Sequence, residues 1–260
     1  MSPVKQSKSM PDSTYKYGDA AKIVTIVQAR MGSERLPGKV LAPVLGLPLL
    51  ALIIKRISPA KKLGTLVVAT TEQPEDDAVE ELLLDLGVNC FRGSTEDCLD
   101  RYYKAAQAYQ AQVVVRLTGD NPLIDHDFLD WVVNEYFATD PQCDYLITSS
   151  TSFPLGLSVE VLSFCALKTA WEETIEPAWR AHVTPHLRQH PDRFRVVTLN
   201  GPRNCLPMRW TVDTPADLKF VRTLYDHFDH DHFSWREAIA AVESHPEWCE
   251  INRHVRQRSQ

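Results

Sequence analysis

A chain of 260 residues, 44% hydrophobic and 24% charged, has the length and composition of a folded α/β protein with one sizeable core rather than of a disordered one. Its formal net charge of −6 excludes a general polyanion binder, which needs a basic face to release counterions, so any phosphate site here must be local. No apolar run approaches the roughly 18 residues that span a bilayer, and Cys90, Cys98, Cys143, Cys165, Cys205 and Cys249 form no C-x-x-C pair, as expected of reduced thiols in a cytoplasmic protein.

Residues 1–21 are rich in Ser, Lys and Pro, lack an apolar stretch of signal-peptide type and read as a disordered leader. Ile23-Val-Thr-Ile-Val27 predicts a first buried strand, followed by a Gly-bearing polar loop and a helix over 48–57, the opening of a βαβ unit. A second strand follows at 66–69. Residues 75–86 then place Val79, Leu82, Leu83 and Leu86 at helical spacing, with Gly87 to end the helix. Residues 88–91, 97–109 and 112–117 read as strand, helix and strand. Near-continuous Val/Ile/Leu strands between amphipathic helices predict a doubly wound, mostly parallel sheet covered on both faces. After residue 137 the alternation loosens. Strands at 145–148 and 159–162 flank Phe153-Pro-Leu-Gly-Leu157, which either covers the core or joins a dimer contact within about 148–162. Helices at 164–174 and 177–189, a strand at 194–199, a loop at 200–207, a strand at 209–212 and a helix at 214–226 complete the reading.

The segment Gln28-Ala-Arg-Met-Gly-Ser-Glu-Arg-Leu-Pro-Gly-Lys39 fits neither G-x-G-x-x-G nor a Walker A loop. It brings Arg30, Arg35 and Lys39, against Glu34 alone, to the carboxyl end of the first strand, where open α/β sheets bind ligands. Gly32 and Gly38 let it approach a ligand closely, and the chemistry fits a triphosphate. Asp120 lies just past the fourth strand, where a ligand role and an ordinary turn are both open. Thr214 as N-cap, Pro215 and Asp217 make a complete helix start, so capping leaves Asp213 free to join Asp120 at a shared Mg²⁺ completed by phosphate oxygens and water. Asp76 and Asp77 read as helix-start charges. The His-rich run 227–232 reads as a solvated turn. His182 is either packed inside a helix or at an acceptor site, and Trp171, Trp179 and Trp210 read as core residues.

Taken in order, Ala29-Arg-Met-Gly-Ser-Glu-Arg-Leu-Pro-Gly-Lys39, Arg116-Leu-Thr-Gly-Asp120 with Pro122-Leu-Ile124, Gly156-Leu-Ser-Val-Glu-Val161, His182-Val-Thr184 and Arg209-Trp-Thr-Val-Asp-Thr-Pro215 resemble the cytidylyltransferase family of CMP-Kdo and CMP-sialic acid synthetases. Within it they are most similar to the branch called spore coat polysaccharide biosynthesis protein F. The resemblance implies a Rossmann-like nucleotidyltransferase fold, three-layer α/β/α with a mostly parallel mixed sheet and a small inserted β subregion. It further implies CTP as co-substrate, Mg²⁺ as cofactor, pyrophosphate as product, a small anionic acceptor and a homodimer, with neither nucleic acid nor membrane as partner. By position it gives the triphosphate to Arg30, Arg35 and Lys39, the nucleotide also to Ala29, Met31, Gly32, Ser94, Arg116 and Asp120, the metal to Asp120 and Asp213, and the acceptor to Glu160, His182 and Arg209. Ser158 departs from the family, standing where its members commonly carry a carboxylate, which leaves the acceptor open. The expected layout is a nucleotidyltransferase domain over 22–226, with an acceptor and dimer subregion at about 148–208, and a helical extension over 227–260. The alternatives are a glycosyltransferase using a nucleotide-sugar, whose D-x-D would have to be Asp125-His-Asp127 or Asp229-His-Asp231, and a non-catalytic nucleotide-binding protein.

Overall fold

The structure, a computed structural model, describes residues 21–201, 205 and 208–257. Residues 1–20 of the expected leader, and 202–204, 206 and 207 of the expected loop, lie outside the described residues. In chain order the strands are β1 (Ile23–Gln28), β2 (Pro43–Val44), β3 (Leu47–Pro48), β4 (Thr65–Thr71), β5 (Asn89–Gly93), β6 (Val113–Thr118), β7 (Tyr145–Thr148), β8 (Glu160–Ser163) and β9 (Val196–Leu199). The helices are α1 (Leu49–Ile57), α2 (Asp77–Asp85), α3 (Cys98–Ala108), α4 (His126–Ala138), α5 (Phe164–Glu173), α6 (Pro177–His182), α7 (Pro185–Gln189), α8 (Pro215–Phe228) and α9 (Trp235–Ser244).

Seven strands form one sheet in the order β5-β4-β1-β6-β8-β7-β9. The first four run parallel, β8 is antiparallel to both neighbours, and β9 is parallel to β7. Strand pleating sends alternate residues to opposite faces. Val27, Val68, Val113, Val115 and Leu117 therefore join a core shared with α1, α4, α8 and α9, whereas Val24, Ile26, Val67, Ala69 and Val114 join one shared with α3 and α5. The result is a three-layer α/β/α fold with a mostly parallel mixed sheet, as expected. The chain runs outward from β1 to β4 and β5 and then crosses to β6 on the other side of β1, so the crevice at the carboxyl ends of β1 and β6 is the topological switch point.

Two segments differ from their sequence reading. The single helix expected over 177–189 is broken into α6 and α7, because Pro185 has no N–H to continue a ladder. Between them Val183 takes φ 71° and ψ −58°, and the Thr184 N–H donates to the His182 carbonyl at 2.9 Å, which makes a strained γ-turn. His182 accordingly ends a short helix instead of lying inside a long one. Residues 209–212 form no strand either, only an isolated bridge between Leu155 and Arg209. The Trp210 and Thr211 amides both donate to the Leu155 carbonyl, and the Val212 amide donates to Asp120 O at 2.8 Å. Gly156 permits this contact: its φ is 119°, and an added Cβ would stand 2.6 Å from the Thr211 nitrogen.

The apolar Phe153 and Leu157 are buried in the protein's own core, with Phe153 packed on Phe128, Trp131 and Trp235. This removes the motive for assigning that loop to a dimer contact. The β2–β3 hairpin, α4, α9 and a short 3-10 helix at Pro246–Ile251 had no individual sequence reading.

Arg56 of α1 ties the segment after α8 to the sheet core. The residue is 4% exposed, and its guanidinium donates to the carbonyls of Asp231 and Phe233, the latter at 3.0 Å, and reaches those of Leu123 and Ile124. It also lies over the Phe233 ring, 4.5 Å from the centroid. Arg56→Ala leaves buried carbonyls unpaired and is expected to cost about 3 kcal/mol, read as a lower urea midpoint at unchanged m-value. A midpoint within error of wild type would show that the clamp contributes nothing.

Candidate active site

The loop after β1 and the turn after β6 meet because the two strands are paired in register to their ends, Gln28 against Thr118. The Gly119 amide then donates to Gln28 O at 2.7 Å, and a Cβ at Gly119 would sit 3.0 Å from both that oxygen and the Ala29 Cβ. Glycine is what lets the two loops touch. The loop between Ala29 and Lys39 is pinned on its other flank by Asp76, a residue read from sequence only as a helix-start charge. Asp76 is 2% exposed and does not cap α2 with its side chain. It accepts from the Met31 amide at 2.6 Å and from both the amide and the hydroxyl of Thr71 at the end of β4.

The centre of the site is an ammonium held by two carboxylates. Lys39 is buried, and its Nζ donates to Asp120 Oδ2 at 2.7 Å, to Asp213 Oδ1 at 2.9 Å and to Val212 O at 2.8 Å. Burial lowers the Lys39 pKa, but the charges of Asp120 and Asp213 outweigh it and the net shift is upward, so the amine stays charged at neutral pH. The other oxygen of Asp120 accepts from the Thr118 hydroxyl, and the other oxygen of Asp213 receives Arg209 at 2.8 Å and Arg35 at 2.9 Å. For Asp213, too, burial opposes the charged form, and Lys39, Arg35 and Arg209 override it to hold the carboxyl below its usual range.

Asp217 supports this cluster. Fully buried, it takes the Arg209 Nε at 2.8 Å, the amides of Asp213 and Thr214, and Nδ2 of Asn252 at 3.0 Å. Thr214 and Asp217 form the expected capping box of α8. The chain beyond α9 completes the surroundings, with the Gln257 side chain accepting from Arg209 at 2.7 Å. Arg35, His254 and Arg256 line a cavity of about 490 Å³ with Thr214, Pro215 and Ala216. Arg30 is exposed and has no partner among the described residues, and Gly32 is exposed beside it.

The remaining candidates lie apart from that cluster. Arg116 faces Glu160 across the β6–β8 pairing, forms an ion pair with it and donates to Gln28 Oε1 at 3.1 Å. The second oxygen of Glu160 accepts from the Tyr145 hydroxyl at 2.7 Å. His182 is half-buried near Arg116. Burial first, then the charges of Arg116 and Arg188, lower its pKa. Ser94, at the end of β5, accepts from the Asp97 amide at 3.0 Å and lines a cavity of about 580 Å³ with Glu72, Gln73, Phe91 and Thr95. Asp97, not Ser94, caps α3.

Both the sequence and the fold have known relatives. The sequence profile of cytidylyltransferases matches residues 24–239. The chain belongs to the cytidylyltransferase family. It is, with that family, a CTP-dependent nucleotidyltransferase. It is 41% identical to the uncharacterized protein MJ1063 of Methanocaldococcus jannaschii, over 92% of this chain and 97% of that protein. It is 36% identical to the spore coat polysaccharide biosynthesis protein SpsF of Bacillus subtilis, over 78% of this chain and 86% of that one. A cytidylyltransferase structure from Leptospira borgpetersenii superposes with a TM-score of 0.86 at 30% identity, over 92% of this chain and all of the other.

Two outcomes follow for this cytidylyltransferase. Asp76→Ala frees the loop backbone at Met31, and kcat/KM for nucleotidyl transfer is expected to fall roughly 10- to 100-fold, since a small misplacement of binding groups has that effect. Unchanged kinetics would remove Asp76 as a positioning residue. His182, with its folded pKa lowered, binds a proton more readily when unfolded, so its contribution to stability is present above the unfolded pKa of about 6.5 and is lost as pH falls below it. Urea midpoints of His182→Gln should therefore fall less than those of wild type between about pH 7 and 5; parallel curves would remove His182 as a source of the dependence.

Proposed function

We propose that this protein transfers CMP from CTP to an acidic sugar or to a phosphorylated or phosphonate acceptor, releasing pyrophosphate in a Mg²⁺-dependent reaction. The observation that carries this reading is the convergence of Asp120 and Asp213 on one cation position, beside the Arg30 and Arg35 loop at the switch point of the sheet. These residues fit a hard divalent cation, which is commonly bound through one or two carboxylates plus substrate phosphates. No group of three or more His, Cys, Asp or Glu side chains suited to a metal occurs among the described residues, so the two carboxylates would need the nucleotide to complete the set. When bound, Mg²⁺ supplies Lewis-acid polarisation and charge neutralisation at the phosphates.

The protein's own part is positioning and charge. Arg30, exposed and unpaired among the described residues, is available to the triphosphate, and Arg35 adds a planar fork next to Asp213. Ala29, Met31 and Gly32 are proposed toward the same phosphates, and Ser94 and Arg116 toward the nucleoside. An acceptor oxygen forms a bond to the α-phosphorus as the bond to the bridging oxygen of the β-phosphate breaks, and pyrophosphate leaves. A sugar hydroxyl must lose its proton to water in this step, whereas a phosphate or phosphonate arrives ionised. Glu160 and His182, grouped around Arg116, and Arg209 beside Asp213 are the proposed acceptor side. The relative named for spore coat polysaccharide biosynthesis supports a role in glycan assembly. A cytoplasmic homodimer, as in the family resemblance, completes the proposal.

The glycosyltransferase alternative loses its D-x-D motifs to structural duties. Asp125 caps α4 and also accepts from the Trp235 amide, Asp229 ends α8 in a left-handed conformation, and Asp231 pairs with Lys55. The test is pyrophosphate release from CTP with a panel of sugar acids, sugar phosphates and phosphonates. Asp120→Asn and Asp213→Asn are each expected to lower turnover about 10²-fold or more, and the double variant much less than the product of the two. Turnover near wild type in either single variant at limiting Mg²⁺ would overturn the carboxylate assignment.

A further inference from the structure

The Lys39 side chain poses a problem that the proposed function, on which this inference rests, does not resolve. An ammonium has three donors, and all three are taken, by Asp120, Asp213 and the Val212 carbonyl. None is left for a phosphate. The same contacts fill the place between the two carboxylates where a divalent cation would have to sit. Lys39, Arg35 and Arg209 also balance Asp120, Asp213 and Asp217 charge for charge, so a metal entering alone would add two uncompensated positive charges to a largely buried cluster.

We infer that Lys39 is a placeholder cation that keeps the metal out of the Asp120–Asp213 pair until the nucleotide arrives, and that its transfer from the carboxylates to the triphosphate couples metal binding to CTP binding. The triphosphate brings the negative charge that both cations need, so exchange is favourable only when metal and nucleotide come together. The side chain suits the task, being a compact charge on a flexible four-carbon stem. Its backbone leaves the loop at Gly38, whose φ of 71° sets the turn immediately before it. Coupling of this kind is reciprocal: the factor by which nucleotide tightens the metal is the factor by which the metal tightens nucleotide.

Mn²⁺ is the probe, its free concentration read by electron paramagnetic resonance, with and without a CTP analogue carrying a methylene between the α- and β-phosphates and with the nucleotide alone as control. Wild-type protein is expected to bind Mn²⁺ at least about tenfold more tightly with the analogue than without it, a factor typical of coupled sites. Lys39→Met, which keeps the length of the stem and removes the charge, is expected to bind Mn²⁺ without nucleotide at least about tenfold more tightly than wild type. Because that variant leaves two buried carboxylates facing each other, Mn²⁺ alone should raise its melting temperature, with no such rise in wild type. Tight Mn²⁺ binding to wild type without nucleotide, abolished by Asp120→Asn, overturns the placeholder role and leaves the metal site of the proposed function standing. Mn²⁺ binding by Lys39→Met no tighter than by wild type also overturns it, and if the variant does not fold the wild-type contrast alone decides. Failure of wild type to bind Mn²⁺ even with the analogue overturns both this inference and the metal site.

Discussion

Three stretches of chain far apart in sequence are held at one point by the ammonium of Lys39, shared between Asp120, Asp213 and the Val212 carbonyl. A charge this enclosed is tolerable only when its partners have good geometry and their remaining lone pairs are filled. The surrounding architecture meets that condition piece by piece. The pairing of β1 with β6 and the bare backbone of Gly119 bring Lys39's loop to Asp120, and the Val212 amide on the Asp120 carbonyl brings in Asp213.

Behind this point lies a second buried charge, Asp217, which has no exposure and fixes Arg209, the backbone at Asp213 and Asn252 together. The capping box of α8 is thus one face of a larger network. It explains why the residues after α9 return to this side of the sheet: Asn252 donates to the Arg209 carbonyl as well as to Asp217, and Gln257 accepts from the Arg209 guanidinium. The chain past α8 is anchored at its beginning by Arg56 and at its end by Arg209, and between them its α9 contributes Ala238, Ile239 and Val242 to the core.

The other flank is organised by neutralisation across strands. Arg116 and Glu160 are register partners in β6 and β8, Gln28 accepts a further hydrogen bond from Arg116, and the Tyr145 hydroxyl donates to Glu160. The γ-turn at Val183 leaves His182 near Arg116 at the end of a short helix. Strain of this kind persists only where neighbouring structure holds it. Here Val183 is buried against α3 and α5, with Thr184 beside the Tyr145 hydroxyl.

Much of this was legible in the residues. The alternation of Val-rich strands with amphipathic helices determined the doubly wound sheet, and the ordered motifs, read together, determined the family. The box of Thr214 and Asp217 was visible because capping depends on neighbours three residues apart. What the sequence could not determine was which charge answers which. The cationic loop reads as three phosphate ligands, yet tertiary structure gives Lys39 to Asp120 and Asp213, and part of Arg35 to Asp213. Asp76 reads as a helix-start charge until the fold brings the Met31 amide to its side chain. Residues 209–212 have the pattern of a strand, but only a folded neighbourhood decides that their amides go to Leu155 and Asp120 instead of to a ladder. Local pattern fixes dihedrals and faces because those depend on neighbours in the chain, whereas an ion pair depends on distance in space, and the distances between Lys39, Asp120 and Asp213 exist only once the sheet has closed.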